Sequence, residues 1–183
     1  MDSWRPYDDP MAALWNVARS SSFGRDIWYA VYGGDPARLW YAVERQCDGR
    51  VIGSLSLREI MVPESARLGI GFGSEYVDQG YGTEALVCFL PHVFEAIGLR
   101  RLLLDVAAPN LRAIHVYEKL GFQYTGRDYR VIPSHHDLTF LDDPSYRDMR
   151  SFFTRRFGQV RLLFLHMALE RAKWRAMSAE RDP

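Results

Sequence analysis

The residues best placed to do chemistry form a turn, Val77-Asp78-Gln79-Gly80-Tyr81-Gly82-Thr83, between two apolar stretches. An apolar, glycine-spaced strand candidate, Arg67–Gly73, leads into it, and Thr83-Glu84-Ala85-Leu86 opens a long apolar helix candidate after it. Strand, glycine turn and helix start together point several backbone N–H groups one way at the positive end of a helix dipole, which makes an anion site. Gly80 and Gly82 remove the Cβ atoms that would hold a phosphate away from those groups. Two glycines in a turn also serve as a plain helix entry, so the residues downstream decide. Arg101–Pro109 reads as a buried strand, and Asn110–Phe122 as a helix with Asn110 at its N-cap and Gly121 just past its end. Positions 110, 113, 114, 117 and 120 fall on one stripe of that helix. Asn110 and Tyr117 therefore face the same side, about 10 Å apart along the axis. Taken alone, Tyr117 reads as a core residue between Ala113 and Leu120, and Asn110 as a cap.

Other reactive types are scattered. Glu59, Glu64, Glu75 and Asp105 are candidate bases, and each also reads as a surface or structural residue. His135-His136-Asp137 has the composition of a metal cluster, but adjacent loop residues rarely converge on one ion and no third ligand has helical spacing, so no metal site is expected. His92, His115 and His166 are isolated. From Arg147 to Arg175 eight basic residues stand against Asp148 and Glu170, with Phe152, Phe153 and Phe157 between them. Such a stretch can contact nucleic acid, but it more often forms a solvated basic face.

These groups need a scaffold. Trp40–Arg45 and Val51–Leu57 read as strands joined by a hairpin at Cys47-Asp48-Gly49, because Asp-Gly accepts the positive-φ turn conformation. The helix over 82–97 is apolar nearly all round and should be buried, with Pro91 removing a hydrogen bond and kinking it. Phe122–Ile132 reads as a further strand, and 133–159 as an insertion with a short helix near 144–156. Val160–Leu169 is ambiguous between strand and helix by period alone. The first 38 residues are least legible: Met11–Ala18 has helical spacing, Ser20–Ser22 breaks it, and Gly33–Pro36 marks a turn.

Asp78–Ala85 followed by Asn110–Phe122 resembles the GNAT superfamily of acetyl-CoA-dependent N-acetyltransferases, with the branch acting on protein N-termini, ribosomal proteins especially, the most similar. The resemblance is good over 38–132 and returns at 160–174. It implies one α/β domain over 1–183: a mixed, mostly antiparallel sheet flanked by helices, with splayed parallel central strands at 67–73 and 101–107 joined by the right-handed crossover helix 82–97. It tips 160–169 to a last strand, with a helix following to about 178.

The implied activity is transfer of an acetyl group from acetyl-CoA, as co-substrate and without a metal, to a primary amine on a peptide N-terminus or a small molecule. Implied cofactor-binding positions are Val77, Asp78, Gln79, Gly80, Tyr81, Gly82 and Thr83 for the phosphates, Asn110 for a further contact, and the backbone around Ile70 and Phe72 for the pantetheine arm. A backbone N–H of 70–73 would polarise the thioester carbonyl. Tyr117 becomes the catalytic acid: a phenol near pKa 10 keeps its proton at neutral pH yet can pass it to a thiolate. Two positions depart from the pattern. Val77 stands where the family carries a polar residue bracing the loop, and Arg67 where relatives often carry an acid. These departures motivate an alternative, a non-catalytic module that binds or senses acyl-CoA.

Composition agrees with a single domain. The chain has 183 residues, 48% hydrophobic and 25% charged, enough for a core without metal or disulfides. A formal net charge of zero supplies no field to recruit nucleic acid, so that partner is disfavoured. No apolar run or leader pattern suggests a membrane, and Cys47 and Cys88 are too few for a disulfide scaffold, so a reduced, cytoplasmic setting is expected. A homodimer is left open. Acceptor choice is expected to lie in 1–38 and in the 133–159 insertion, which should line or cover the acceptor pocket, with Asp137, Asp142 and Asp143 drawing a cationic amine.

Overall fold

The computed structural model describes residues 4–5, 7–15 and 38–180. The break at 20–22, the turn at 33–36 and the end of the helical pattern at 11–18 lie outside them; within 11–15 the chain makes a single 3-10 turn, Ala12–Leu14. The strands are β1 (Arg38–Arg45), β2 (Arg50–Met61), β3 (Ser65–Phe72), β4 (Arg101–Ala107), β5 (Gln123–Val131), β6 (Phe153–Arg156) and β7 (Gln159–Glu170). The helices are α1 (Tyr81–Pro91), α2 (Leu111–Lys119) and α3 (Arg171–Ala179). One mixed sheet runs β1-β2-β3-β4-β7-β5, with β6 also paired to β7.

Every pairing is antiparallel except β3–β4, which α1 joins as a crossover. The β3–β4 ladder is short: Ser65, Ala66 and Arg67 pair with Arg101, Leu102 and Leu103, and then the strands part. Each keeps its outer neighbour beyond that point, β3 following β2 as far as Phe72↔Gly53 and β4 following β7 as far as Ala107↔Phe164. A wedge-shaped gap is thus built into the middle of the sheet.

The two sheet faces differ because strand residues alternate sides. Leu55, Leu57, Leu68, Leu102, Leu104 and Met167 are buried on the face covered by the helices, against Leu86, Leu90, Phe94 and Trp174. Phe94 and Trp174 stack with centroids 5.2 Å apart, tying α3 to the helix after β3. The opposite face carries Ser54, Ser56, Arg58, Arg67, Asp105 and His166, and it is polar.

Local signals explain most element ends. The β1–β2 hairpin turns at Gly49, φ +68°, whose N–H donates to the Arg45 carbonyl. Pro91 ends the α-helical part of its helix, and the chain continues as one π-helical turn, His92–Ala96, closed by Ile97 N–H to the His92 carbonyl at 2.9 Å. A wider turn is how the missing donor and the ring are absorbed here. Helix α2 ends in a Schellman arrangement: Phe122 N–H donates to the Tyr117 carbonyl at 3.0 Å and Gly121 N–H to the Glu118 carbonyl at 2.9 Å, with Gly121 at φ +93°.

The insertion departs from expectation. Instead of a helix over 144–156 it has 3-10 turns, Thr139–Asp142 and Pro144–Phe152, followed by strand β6. Phe153 and Thr154 favour a strand, and Phe157 (φ +51°) with Gly158 (φ +75°) makes the two-residue turn that folds β6 onto β7.

Candidate active site

Between β3 and α1 the chain forms a 3-10 turn, Ser74–Tyr76, and then a loop with Asp78 at φ +60° and Gly80 at φ +86°. The helix has no side-chain cap; its first satisfied donor is Glu84 N–H, to the Gly80 carbonyl at 3.1 Å. Among the described residues, no N–H from Val77 to Thr83 donates to a backbone acceptor. Such a run of donors at a helix start is an anion cradle.

Glycine at the two positions has different reasons. Gly80 needs its positive φ. Gly82 is helical, and a Cβ there would meet only Phe72 Cε2 at 3.7 Å, an ordinary contact. Nothing in the fold asks for glycine at 82, whereas a phosphate lying on the loop would. Val77 cannot brace the loop through a polar side chain, but Gln79 does so, its Nε2 donating to the Glu75 carbonyl at 2.6 Å. Arg112, one residue into α2, reaches Asp78 at 3.1 Å and adds positive charge beside the cradle.

The gap continues from this loop. Gly73 N–H donates to the Ile52 carbonyl of β2 at 3.1 Å, and Arg101 N–H to the Glu64 carbonyl on the β4 side at 3.0 Å. Alternation along β3 therefore turns the backbone groups of Ile70 and Phe72 toward the gap. The Phe72 carbonyl is already engaged by the Tyr7 hydroxyl at 2.9 Å. Burial raises the Tyr7 phenol above its ordinary value, with the Arg112 charge opposing.

A cavity of about 470 Å³ occupies the gap and passes from one sheet face to the other. On the helix side it meets Leu86, Val116 and Tyr117; on the polar side, Arg58, Asp105, Arg130 and Phe164. Of the residues expected to act, Ile70, Phe72, Val77, Asp78, Gly80, Gly82, Thr83, Asn110 and Tyr117 all line it. Gln79 and Tyr81 do not: Gln79 braces the loop, and Tyr81 opens α1. Asn110 caps α2, its Oδ1 accepting from Ala113 N–H at 3.3 Å. Tyr117 is 7% exposed, packs on Phe122 with centroids 5.7 Å apart, and has its phenol pushed above 10 by burial.

Of the four acids, only Asp105 lines the cavity. Glu59 is paired with Arg67, Glu64 with Arg100, and Glu75 accepts from Arg5 N–H. The Asp105 side chain is buried and held by Arg67 at 2.7 Å, Arg130 at 3.2 Å and His166 Nδ1 at 3.2 Å. Both of its oxygens are engaged. Arg130 also stacks over Phe164, 4.6 Å from the ring centroid.

No residue of 133–159 lines the cavity, so the insertion is not its wall. The insertion instead contacts the N-terminal segment through Tyr146, whose hydroxyl donates to Asp9 Oδ1 at 2.9 Å. That segment supplies the wall residues Tyr7 and Trp15. Asp137 and Asp143 are used locally, accepting from Thr139 and from Ser145. Sequence reasoning missed Tyr7, Trp15, Arg58, Arg112 and Arg130. For Arg58 a signal existed, since Ser54, Ser56 and Arg58 alternate with leucines along β2.

The comparisons agree with this architecture. The profile described as "Acetyltransferase (GNAT) domain" matches residues 3–123, well over half of the 183, and the chain belongs to that family. It is similar to the spermidine N(1)-acetyltransferase of Escherichia coli (strain K12), 37% identical over 82 residues, an alignment spanning 44% of each chain. The match therefore covers less than half of that relative's length. It is also similar to YdaF of Bacillus subtilis (strain 168), whose name proposes a ribosomal N-acetyltransferase, with 29% identity over 61% of this chain and 60% of the relative. Among solved structures, spermidine/spermine N-acetyltransferase SpeG from Vibrio cholerae in complex with manganese ions shares the fold. Its TM-score is 0.61 at 23% identity, covering 86% of this chain and 79% of that one.

Proposed function

We propose that this chain transfers the acetyl group of acetyl-CoA to a primary amine by direct attack on the thioester. The observation that carries the reading is the continuity of the unpaired N–H groups at 77–83 with a gap that opens onto both faces of the sheet. Acetyl-CoA supplies an activated thioester, and the rest is the work of this chain. The loop N–H groups, with the α1 dipole behind them, hold pyrophosphate charge. The gap-facing backbone of Ile70 and Phe72 offers donors to the pantetheine arm and to the thioester oxygen as negative charge develops on it. Tyr117, on the helix side, donates a hydrogen bond to the sulfur and gives its proton as the thiolate leaves. A thiolate formed in the same desolvated space has its own proton affinity raised, which offsets the raised affinity of the phenol. The amine enters from the polar face in neutral form; on attack its nitrogen becomes cationic and releases one proton to water, and water returns one to Tyr117 once the thiol has formed.

The names of the relatives point to amine acceptors, spermidine and ribosomal. Two free, exposed thiols, Cys47 and Cys88, fit a reducing compartment. Among the described residues no helix is long and apolar enough to cross a membrane.

The test is thiol release from acetyl-CoA on a panel of peptides, polyamines and amino acids, for the wild type and Tyr117→Phe. An enzyme loses about 10²- to 10⁴-fold in turnover in the variant while still binding acetyl-CoA. A non-catalytic acyl-CoA module has no turnover to lose, and observing none on any amine would favour it.

A further inference from the structure

We propose that the acceptor is an amine that also carries a carboxylate, and that Arg58 binds that carboxylate. This rests on the acetyl-transfer reading and names its substrate class.

The polar face of the sheet carries an unbalanced charge. Arg58 lies on the polar face of β2, directly across the ladder from Arg67 of β3, so two guanidinium groups share one face of an antiparallel pair. Like charges in that position repel. Arg67 is compensated by Glu59 at 2.9 Å and Asp105 at 2.7 Å. Arg58 has no such relief: its Nε is buried, and no acceptor or acid pairs with it among the described residues. A buried, unsatisfied donor on a charged group is costly, and the Arg58 side chain lines the cavity. Trp15 repeats the pattern: its Nε1 is also buried without a partner, and it also lines the cavity. Arginine and indole groups only donate. What completes this end of the cavity is therefore an acceptor, and beside a guanidinium a carboxylate is the strongest.

The charge balance argues against a polycation. The acid lining the polar end is Asp105, whose carboxylate is occupied by Arg67, Arg130 and His166. Among the described residues, an ammonium group arriving there meets Arg58 and Arg130 together with an acid, Asp105, that is already paired. The anion in question is also distinct from the phosphates of acetyl-CoA. Arg58 stands level with Arg67, five residues before the end of β3, about 16 Å from that end at 3.3 Å per residue, whereas the N–H cradle lies beyond it. Ile70, where the thioester is placed, is three residues from Arg67, about 10 Å. An arginine side chain and a small amino acid span that distance together.

The experiment compares L-amino acids with their carboxamides, and with spermidine, as acceptors for wild type, Arg58→Met and Arg58→Lys. Thiol release gives kcat/KM, and the ligand-induced Tm shift, with and without CoA, gives binding that does not depend on turnover. The wild type is expected to prefer at least one acid over its carboxamide by about ten- to a hundredfold, the range of a charged hydrogen bond. Arg58→Met should bring that ratio close to one, and Arg58→Lys should restore part of it. A wild type that prefers spermidine or the carboxamides overturns the proposal while leaving acetyl transfer intact. So does an acid preference that survives in Arg58→Met, or the lack of any Arg58-dependent acid-over-carboxamide difference in Tm. Failure to bind acetyl-CoA at all sinks the underlying reading instead, and the Tm comparison still decides the role of Arg58.

Discussion

Gly80 and Gly82 are two residues apart, yet their reasons for being glycine separate folding from function. Gly80→Ala places a side chain at φ +86° and should destabilise the chain by about 1–2 kcal/mol, read by urea unfolding. Gly82→Ala meets no close neighbour and removes a glycine from the first turn of α1, so stability should be unchanged or rise by up to about 1 kcal/mol. Its acetyl-CoA affinity should fall about ten- to a hundredfold as a backbone–phosphate contact is lost. Unchanged affinity in titration calorimetry would mean that the phosphates lie elsewhere. Tyr117 carries a pH expectation. Its phenol is raised above the ordinary 10.0 by burial, and the protonated form is the active one. The raised value therefore extends activity upward, and kcat should show no loss from this group as pH rises through 10. An alkaline limb centred there and absent in Tyr117→Phe would contradict the assignment. Short-range spacing alone makes the loop glycines a helix entry, Asn110 a cap and Tyr117 a core residue, and the family resemblance is what gives them their proposed roles. Asp105 is one of four candidate acids by sequence and is singled out only by Arg67, Arg130 and His166 on other strands, and Arg58 only by the cavity it lines.

Among the elements, α2 was read most fully, because a cap and a stop are local features. Its stop is also tightly packed. A Cβ on Gly121, at φ +93°, would run into Met177 Sδ of α3. Gly121→Ala should cost more than the backbone term alone, about 2–4 kcal/mol with the overpacking included, as a shift in urea midpoint. A cost under about 1 kcal/mol would show that α3 yields freely. Pro91 was read as a kink and is a π-helical turn, a difference in how one lost hydrogen bond is absorbed. The helix expected over 144–156 failed in its second half because the turn at Phe157-Gly158 was not recognised. That turn gives Phe153 and Thr154 a strand partner in β7. Val160–Leu169 could not be assigned by period because β7 is central in the sheet, paired on both sides, and its alternation is masked by apolar residues on both faces.

For the whole molecule, the consequential feature is that the sheet divides at its one parallel pair. Strand adjacency is a long-range property, and here the family resemblance, not the residue pattern, brought β3 and β4 together in the sequence reading. The same limit explains the insertion. Its acidic residues suggest a pocket wall, yet Asp137 and Asp143 serve local turns, and the insertion reaches the N-terminal segment through Tyr146 to Asp9. Tyr146 is half-buried and the change removes only its hydroxyl, so Tyr146→Phe should change stability by less than about 1 kcal/mol and acceptor KM by less than about twofold. A larger rise in KM at unchanged stability would restore the insertion to the acceptor site.

The central claim is that the gap between β3 and β4, with the loop that follows it, holds acetyl-CoA. Amide hydrogen exchange with and without acetyl-CoA tests this most directly, because the donors in question are backbone N–H groups that the fold leaves without acceptors. The account predicts slowed exchange at Ile70, Phe72 and across Val77–Thr83, with no change in the insertion turns over 139–152. Protection confined to other segments, or none at saturating acetyl-CoA, would contradict it.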